Sequence, residues 1–561
     1  MPIKENRWRS PSSLQLYFTA IYSHRPTSIS SFVPSGFFLY TYSHKLPPLV
    51  SHRAKMDWLT IFFTLLTVVI FFYILHKKTN KYAGLRLPPG PPGWPIVGNL
   101  FQVTLSGKQI MHYVQDLRKI YGPIFTLRMG SRTLIFICDA KNAHEALIEK
   151  PLEFASRPRE NQTRAVFSCD KFTVNSVVYG PEWRSLRRNM VSGMLSTSRL
   201  KELRGLRDYA MDRLIEKIST EAKKNDGVVS VLKNARFAVF CILLSMCFGV
   251  NLDEDTIVKV DQTLKKVLMA LLPRIDDFLP ILNPLFGKQW KTVMDVRKEQ
   301  IEIITPLIEK RRELLASGQV MNSEHVAPFS YLDSLFDLKI EGRESSPSNA
   351  ELVSLCSELL NGGTDTTATA IEWGIARLIE NPVMQERLYD EIVATVGDNK
   401  VNEKDTEKMV YLQAFVKELL RRHPPVYFSL THAAVNPGSK LSGYDIPTDA
   451  NLDIFIPSIS DDPTLWKDPD TFNPDRFLTG GEDCDMRGIP LMKMIPFGAG
   501  RRICPGMAMG MTHITLMLAR MVQAFEWSKA DKLGEAMDFG EKLEFTIVMN
   551  KTLKSSVRRR N

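Results

Sequence analysis

Residues 497–506 read Phe497-Gly498-Ala499-Gly500-Arg501-Arg502-Ile503-Cys504-Pro505-Gly506. A lone cysteine here lies in a glycine-rich turn beside arginines, and a helical pattern follows from Met507 to Phe525. Backbone N–H groups in such a turn, and at a helix start, point at the sulfur and favour its thiolate form. A structural cysteine is the ordinary alternative. The arrangement indicates that Cys504 differs from the other six cysteines of the chain.

A long helix is predicted upstream of this turn. It begins at a capping box formed by Ser348 and Glu351, and Asn381-Pro382 ends it about 33 residues later, roughly 50 Å along its axis. Its centre, residues 361–367, reads NGGTDTT, which is a poor helix-forming sequence. Either the helix breaks there into two, or a buried helix carries a distorted groove where a ligand approaches its backbone.

The spacing F-x-x-G-x-R-x-C-x-G in residues 497–506 matches the haem-binding signature of cytochrome P450. Other landmarks follow the order of that family: W-x-x-x-R at Trp183, the oxygen-activation motif GGTDTT at Gly362, E-x-x-R at Glu418, and a P-D-R-F variant of P-E-R-F at Pro474. The chain therefore resembles a cytochrome P450 over roughly residues 88–561. The resemblance implies a mainly α fold with small β-sheets, preceded by an N-terminal transmembrane helix.

The resemblance also implies a role for each matching residue. It makes Cys504 the axial ligand of the iron in haem b (iron protoporphyrin IX), within a loop that includes Phe497 and Gly506. It assigns a proton relay to Asp365 and Thr366, with Gly362 and Gly363 beside it. The donors to the haem propionates would be Trp183, Arg187, His432 and Arg502. Behind the haem, an ion-pair triad would consist of Glu418, Arg421 and Arg476.

A monooxygenase of this family takes electrons from NADPH through NADPH–cytochrome P450 reductase, and a membrane cytochrome is a possible second donor. Two other classes stay open: a peroxide-rearranging haem enzyme that needs no reductase, and a haem-binding protein without enzymatic activity. The intact acid–threonine pair, Asp365 and Thr366, favours the monooxygenase.

The substrate is predicted from a narrower resemblance. Residues 154–190, FASRPRENQTRAVFSCDKFTVNSVVYGPEWRSLRRNM, look like the in-chain fatty-acid hydroxylases and epoxidases of the plant microsomal branch, which act in cutin-type lipid metabolism. The segment Pro425–Thr431 after E-x-x-R is expected to line an apolar pocket, opposite a loop that contributes Val166 and Phe167. A phenolic or terpenoid substrate is the alternative.

The net charge of +10 is concentrated at the two ends of the chain. Residues 1–55 carry +6 and the tail from Lys551 carries +5, so the remainder is close to neutral. A nucleic-acid site needs a basic face on the folded body, which this distribution does not imply, and no nucleic-acid partner is expected. Seven cysteines without CxxC spacing argue against a disulfide framework or a zinc site.

The apolar run Trp58–Leu75 has 18 residues, about 27 Å of helix, and is followed by Lys77, Lys78 and Lys81. It predicts a single-pass anchor at residues 56–78 in the endoplasmic reticulum membrane, with the body cytosolic. A cleaved signal peptide is the alternative. Residues 79–95 are a Pro-rich hinge, or alternatively a ligand for SH3-type domains, and residues 96–561 form the haem-thiolate domain.

Residues 1–55 contain ten serines and one acidic residue, a composition like that of an organellar transit peptide. Their positive charge opposes the predicted orientation of the anchor, and the conflict disappears if translation begins at Met56. A spurious or alternative upstream start is therefore favoured, with plastid targeting as the alternative. Within the body, strands are expected at Ile124–Met129, Thr133–Cys138 and Leu543–Met549.

Overall fold

The computed structural model describes residues 62–64, 66–67, 81–318, 329–478, 484–530 and 537–560. The chain divides into two compact units: Met1–Ala83 with Trp94–Ile96, and Gly84–Gly93 with Val97–Asn561. The predicted leader, residues 1–55, lies outside the described residues, and so does most of the predicted anchor. The five described residues of that anchor, 62–64 and 66–67, are helical with exposed side chains.

The second unit is mainly helical. Its α-helices in the described residues, numbered in chain order, are α1 Leu100–Leu105, α2 Ile110–Tyr121, α3 Ala140–His144, α4 Gln162–Ser168, α5 Pro181–Met190, α6 Thr197–Glu202, α7 Arg204–Lys224, α8 Val231–Phe248, α9 Glu254–Ala270, α10 Ile275–Phe278, α11 Gly287–Ala316, α12 Tyr331–Phe336, α13 Asn349–Glu380, α14 Pro382–Val396, α15 Glu403–Thr406, α16 Val410–Arg422, α17 Pro457–Ser460 and α18 Met507–Ala524. Short π-helical turns extend α3 and α5, at Glu145–Glu149 and Val191–Leu195.

The strands form small sheets at the edge of the helical body. They are β1 Ile124–Met129, β2 Arg132–Ile137, β3 Val228–Ser230, β4 Lys440–Leu441, β5 Tyr444–Asp445, β6 Asn451–Ile454, β7 Phe525–Lys529, β8 Glu541–Leu543, β9 Ile547–Met549 and β10 Lys554–Arg559. One sheet has the order β1-β2-β6, with β1 antiparallel and β6 parallel to β2, so that Ile135 lies opposite both Thr126 and Leu452. A second has the order β3-β10-β7, and β4-β5 and β8-β9 are two-stranded. The predicted class, mainly α with small sheets, is confirmed.

The strand predictions were right for β1 and within one residue for β2. The single strand predicted at Leu543–Met549 was wrong, because β8 and β9 form an antiparallel hairpin whose turn is residues 544–546. An alternating apolar pattern cannot by itself distinguish one strand from two strands joined by a tight turn.

The long helix is present as α13 and is not broken at its centre. The Ser348 side chain accepts a hydrogen bond from the Glu351 N–H, and the Glu351 side chain accepts one from the Ser348 N–H, as the capping box predicts. The largest apolar core forms where α8, α16 and α18 pack around α13. In the described residues, α8 is the one helix long and apolar enough to cross a membrane, and two-thirds of it is buried in this core.

The Pro-rich segment contains neither helix nor strand over residues 85–93. It lies along β1, because the Thr126 N–H donates to the Pro89 carbonyl at 2.7 Å and the Thr126 hydroxyl donates to the Pro88 carbonyl at 2.9 Å. Buried Asn99 fastens its end, with the side-chain amide 3.2 Å from the carbonyl oxygens of Pro91 and Pro92. A segment without regular structure thus follows the edge of the sheet.

Candidate active site

Cys504 lies at the end of a tight loop that joins residue 497 to α18. The Cys504 N–H donates to the Phe497 carbonyl at 2.9 Å, which closes the loop. Gly500 has φ +70° in this loop, and a Cβ there would lie 2.1 Å from the Leu147 carbonyl oxygen. Only glycine allows that approach of two backbones. The Phe497 ring packs beside Gly510 of α18, 3.5 Å from the position of a Cβ.

The Cys504 thiol is only partly exposed and forms no disulfide. Burial raises its pKa, while a hydrogen bond from the Gly506 N–H and the positive charge of Arg187 lower it. Gly506 caps the start of α18. The backbone donor that the sequence predicts is thus present, but desolvation outweighs it, and a positive charge next to the sulfur is needed to stabilise the thiolate.

Trp183 and Arg502 are two of the four predicted propionate donors, and their side chains lie in contact. The guanidinium of Arg502 lies over the Trp183 indole at 4.9 Å from the ring centroid. The buried indole Nε1 has no hydrogen-bond partner among the described residues. Arg502 donates to the carbonyls of Ala155, Val174 and Val177 at 2.6, 3.1 and 2.6 Å, which leaves two of its five N–H donors for a ligand.

Arg187 and His432 complete the predicted set. Arg187 donates to the Ile503 carbonyl at 2.6 Å, immediately before Cys504. His432 Nδ1 lies 2.8 Å from the Phe154 carbonyl oxygen, which can only accept, so Nδ1 carries a proton. Burial, together with Arg157, lowers the pKa of His432 to about 3. The neutral ring then presents an acceptor at Nε2. To donate to a propionate the ring has to be protonated, and the negative charge of the propionate would stabilise that imidazolium.

Arg157, Glu358 and Arg236 were not identified from the sequence. Arg157 is buried, donates to the carbonyls of Asn175, Leu430 and Thr431, and has a pKa lowered to about 10 by burial. Its partners are remote in sequence, so no local pattern marks it. Glu358 carried a detectable signal, because it is the one charged residue in the stretch 352–364 of the long helix, about two turns before Thr366.

The centre of α13 presents an open face. The Thr366 hydroxyl donates to the Gly362 carbonyl at 2.9 Å, and a Cβ added at Gly362 would meet no atom within 4 Å. Gly363 differs, because a Cβ there would lie 2.8 Å from Leu243 of α8. Gly362 therefore borders open space beside Thr366, whereas Gly363 allows α8 to pack closely and does not share in that space.

Asp365 is not a free carboxylate. Its Oδ1 lies 2.5 Å from Nε of Arg236 on α8, and the same guanidinium pairs with Asp261 of α9. Asp365 is only 19% exposed and Arg236 12%, so water screens this pair poorly. The acid next to Thr366 is thus held by a cation that ties α13 to two neighbouring helices.

Glu418, Arg421 and Arg476 form the predicted ion-pair network. Arg421 Nε lies 2.7 Å from the Glu418 carboxylate, and Arg476 Nε lies 3.1 Å from the same carboxylate. The side chains of Glu418 and Arg421 are fully buried. Arg421 also donates to the carbonyls of Ser460 and Pro469, both at 2.8 Å. The network fastens α16 to the segment around residues 460–476, without contact to Cys504 or Thr366 in the described structure.

The predicted apolar wall is only partly exposed. Tyr427 is buried, with its hydroxyl donating to Glu541, whereas Phe428 packs against the rings of Phe136 and Phe455 and is only partly buried. Phe167 is buried, in a cluster with α9 and α11. Among the apolar side chains of residues 425–431, that of Leu430 is the one that is exposed, with 58% of its surface accessible to solvent. Val166, Val426 and Phe428 are partly exposed, so the lining of a substrate pocket by these two segments stays a prediction.

The residues present fit a haem with its thiolate ligand. Three guanidiniums, of Arg157, Arg187 and Arg502, interact electrostatically with one shared carboxylate, Glu358. This excess of positive charge suits the two propionates, and the unpartnered Trp183 Nε1 is a further donor. Open space beside Gly362 leaves room next to Thr366 on α13.

Comparisons with known proteins agree with this arrangement. The family description "Cytochrome P450" matches residues 88–553. The chain is 33% identical to Arabidopsis thaliana cytochrome P450 89A9 over 512 residues, covering 88% of this chain and 96% of that protein. It is 30% identical to the Arabidopsis thaliana flavonoid 3'-monooxygenase, with 87% and 96% covered. A zebra fish cytochrome P450 structure with progesterone superposes with a TM-score of 0.67 at 21% identity, covering 81% of this chain and all of that one.

The chain therefore belongs to the cytochrome P450 family, as a haem-containing monooxygenase similar to plant P450s. Membership of the family implies that haem is its cofactor, that a redox partner supplies its electrons and that its substrate is lipophilic.

Proposed function

We propose that this protein hydroxylates or epoxidises long-chain fatty acids within the chain, as part of cutin-type lipid metabolism. The resemblance of residues 154–190 to in-chain fatty-acid hydroxylases is the observation that carries this proposal. The overall reaction consumes one O₂ and one NADPH with a proton, places one oxygen atom in the lipid and releases the other as water.

Two exposed apolar side chains, one at the β8-β9 turn and one in the segment after E-x-x-R, support a lipid substrate. The Thr546 and Thr369 hydroxyls lie 2.9 Å apart, so the turn of the β8-β9 hairpin touches α13 one turn beyond Thr366. Phe545, at the same turn, leaves 44% of its side chain exposed, and Leu430 leaves 58% of its own. Methylene groups bind to such surfaces without desolvating a charge.

When bound, haem supplies the oxidising chemistry, and the protein provides ligation, orientation and protons. Cys504 would hold the iron, and Trp183, Arg187, His432 and Arg502 would hold the propionates. Thr366 would donate a proton at its hydroxyl into the open space beside Gly362, and Asp365 would resupply that proton after its carboxylate leaves the ion pair with Arg236 and takes up a proton. The Glu418–Arg421–Arg476 network would support the loop behind the haem.

We further propose that electrons come from NADPH through NADPH–cytochrome P450 reductase, with a membrane cytochrome as a second donor. The anchor proposed at residues 56–78 would place the protein in the endoplasmic reticulum membrane with its catalytic domain in the cytosol, and plastid import is the alternative if residues 1–55 are a transit peptide. Lipid substrates partition into the membrane that such an anchor reaches, which favours a fatty acid over a soluble metabolite.

The test is a product screen in microsomes that contain the protein and its reductase. Saturated and unsaturated long-chain fatty acids are supplied with NADPH, and the oxidised carbons are mapped by mass spectrometry. In-chain alcohols, or epoxides at double bonds, are the expected products, and microsomes with the Cys504→Ser variant are the control. Exclusively terminal oxidation would show that the assignment to in-chain oxidation is wrong.

A phenolic substrate is the second candidate, because one relative carries the name flavonoid 3'-monooxygenase. The same microsomes are therefore supplied with flavonoids and terpenoids. Turnover of one of these without any lipid product would replace the fatty-acid proposal. A monooxygenase would consume NADPH in a way that depends on substrate and reductase. A peroxide-rearranging enzyme would form product without NADPH and without the reductase.

A further inference from the structure

Glu358 of α13 binds a loop that lies between the helix and the predicted propionate donors. This inner loop comprises residues 172–178. The two oxygens of the Glu358 carboxylate accept hydrogen bonds from the Val174 N–H at 2.9 Å and the Asn175 N–H at 2.6 Å. A carboxylate with two backbone donors is a charge-assisted contact, stronger than a neutral hydrogen bond.

The same loop accepts hydrogen bonds from two arginines, the buried Arg157 and the partly exposed Arg502. Arg502 donates to the Val174 carbonyl at 3.1 Å, and Arg157 donates to the Asn175 carbonyl at 2.7 Å. The Val174 carbonyl and the Asn175 N–H belong to one peptide group. That peptide therefore has the Glu358 carboxylate at its donor end and the Arg502 guanidinium at its acceptor end, an arrangement in which each bond polarises and strengthens the other.

Glu358 is also the carboxylate that Arg157, Arg187 and Arg502 have in common. Each of these guanidiniums gains electrostatic stabilisation from it. Although the side chain is only half-buried, the surrounding protein desolvates the carboxyl and raises its pKa to about 7, against the opposing effect of its hydrogen bonds and of Arg157 and Arg502. Repulsion among three guanidiniums would spread them without this counter-charge.

We propose that Glu358 is a positioning residue, which clamps the inner loop to α13 and thereby aims Arg502 and Arg157 at the propionate side of the haem. This inference rests on the proposed role of Arg502. The clamp would connect the helix that carries the predicted proton-relay residues, Asp365 and Thr366, to the predicted propionate donors. Glu358 itself contacts neither Cys504 nor Thr366 in the described structure.

The sharpest test substitutes Glu358→Gln, which keeps the size of the side chain. The amide nitrogen cannot accept a hydrogen bond, so one loop N–H loses its partner, and the counter-charge disappears. Glu372→Gln is the matched control, because Glu372 is a buried carboxylate of the same helix that accepts one backbone N–H, from Leu553, and has its pKa raised to about 7 by burial. Glu372 faces none of the three arginines in the contacts described.

Two measurements are made on the full-length, haem-loaded protein: hydrogen–deuterium exchange of a peptide spanning residues 170–180, and the rate of haem transfer to apomyoglobin. Glu358→Gln is expected to speed both about tenfold, and Glu372→Gln to leave both within about twofold of wild type. If Glu358→Gln does not accumulate as folded protein, Glu358→Asp keeps the charge but shortens the reach, and the same acceleration of loop exchange is expected.

Loop exchange that is unchanged in Glu358→Gln would overturn the proposal. Failure of the underlying assignment has a different signature. Arg502→Gln is expected to speed haem release on its own. In the double variant with Glu358→Gln, the increase in the rate of haem release is expected to be smaller than the two single increases combined. Haem release unaffected by Arg502→Gln would contradict the role given to Arg502, whatever the inner loop does.

Discussion

The Thr366 hydroxyl donates a 2.9 Å hydrogen bond to the carbonyl oxygen of Gly362, one turn earlier in α13. That carbonyl would otherwise accept only a backbone hydrogen bond of the helix, and sharing it with a side chain locally weakens the backbone hydrogen bonding. The helix stays continuous through residues 361–367, yet it leaves an open face beside Gly362. A groove and an unbroken helix are therefore compatible here.

Thr366→Val should uncouple NADPH consumption from product formation, because it removes the hydroxyl expected to deliver a proton while conserving volume. Product formed per NADPH consumed should fall at least about tenfold, within the range by which general acid–base groups contribute. Haem content should not change. Thr366→Ser should restore much of the coupling, and equal coupling in wild type and Thr366→Val would show that the relay assignment is wrong.

The matched control for that experiment is Thr364→Val. Thr364 is buried in the same helix, and its hydroxyl donates to the Leu360 carbonyl at 2.6 Å. It shares the chemistry of Thr366 without sharing the open face. Coupling should therefore survive Thr364→Val even if the protein is less stable.

Arg421→Ala should destabilise the fold strongly, because it leaves the Glu418 carboxylate buried without its closest cation. Breaking a buried pair of this kind costs about 3–5 kcal/mol. Arg387→Ala removes an exposed ion pair with Asp475, 2.7 Å long, and should cost under about 1 kcal/mol. Urea unfolding of the two variants gives both values, and similar losses from both would contradict a structural role specific to the buried network.

Much of the fold follows from local signals in the sequence. The capping box at Ser348, the stop at Asn381-Pro382 and the glycine pattern around Cys504 each depend on neighbours in the chain, and the structure has them as predicted. Arg236 could not be predicted in the same way, because its partner Asp365 is 129 residues away and the contact exists only when α8 packs on α13.

The same limit applies to the predicted pocket wall. Tyr427 and Phe428 read as apolar residues that could face either a substrate or the core. Which face they take is set by β6 and the ring of Phe455, which lies 5.1 Å from that of Phe428. Apolar composition predicts that a side chain avoids water, but it does not predict which apolar surface covers it.

Glu372 should make stability depend on pH between about 4.5 and 7. Burial raises its pKa from 4.5 to about 7, so the folded protein binds this proton more tightly than the unfolded chain does. The stabilisation from this carboxyl is complete below about pH 4.5 and is lost as the pH rises through 7. Relative to wild type, Glu372→Gln should therefore gain up to about 3 kcal/mol in free energy of unfolding from pH 4.5 to 8.

That difference is measured by urea unfolding of both proteins at several pH values, which cancels the titration of every other group. The glutamine can keep the contact to the Leu553 N–H, which Glu372 accepts at 2.8 Å. A stability difference that is constant with pH would show that Glu372 is ionised in the folded state throughout this range.

Deletion of residues 1–55 should leave membrane attachment and haem incorporation intact, because the proposed anchor from Met56 has both span and flanking positive charge. Deletion through Leu87 should release most of the protein from carbonate-washed microsomes. Import of the full chain into plastids, with cleavage of the leader, would instead support a transit peptide and contradict the proposed location.

The measurement that tests the central claim most directly is the carbon-monoxide difference spectrum of the reduced protein, for wild type, Cys504→Ser and Cys169→Ser. Cys169 is a free, partly exposed thiol in a different part of the fold. Wild type and Cys169→Ser should show the red-shifted band diagnostic of thiolate-bound haem, and Cys504→Ser should lose it. Persistence of that band in Cys504→Ser would contradict the assignment of Cys504 as the ligand of the haem iron.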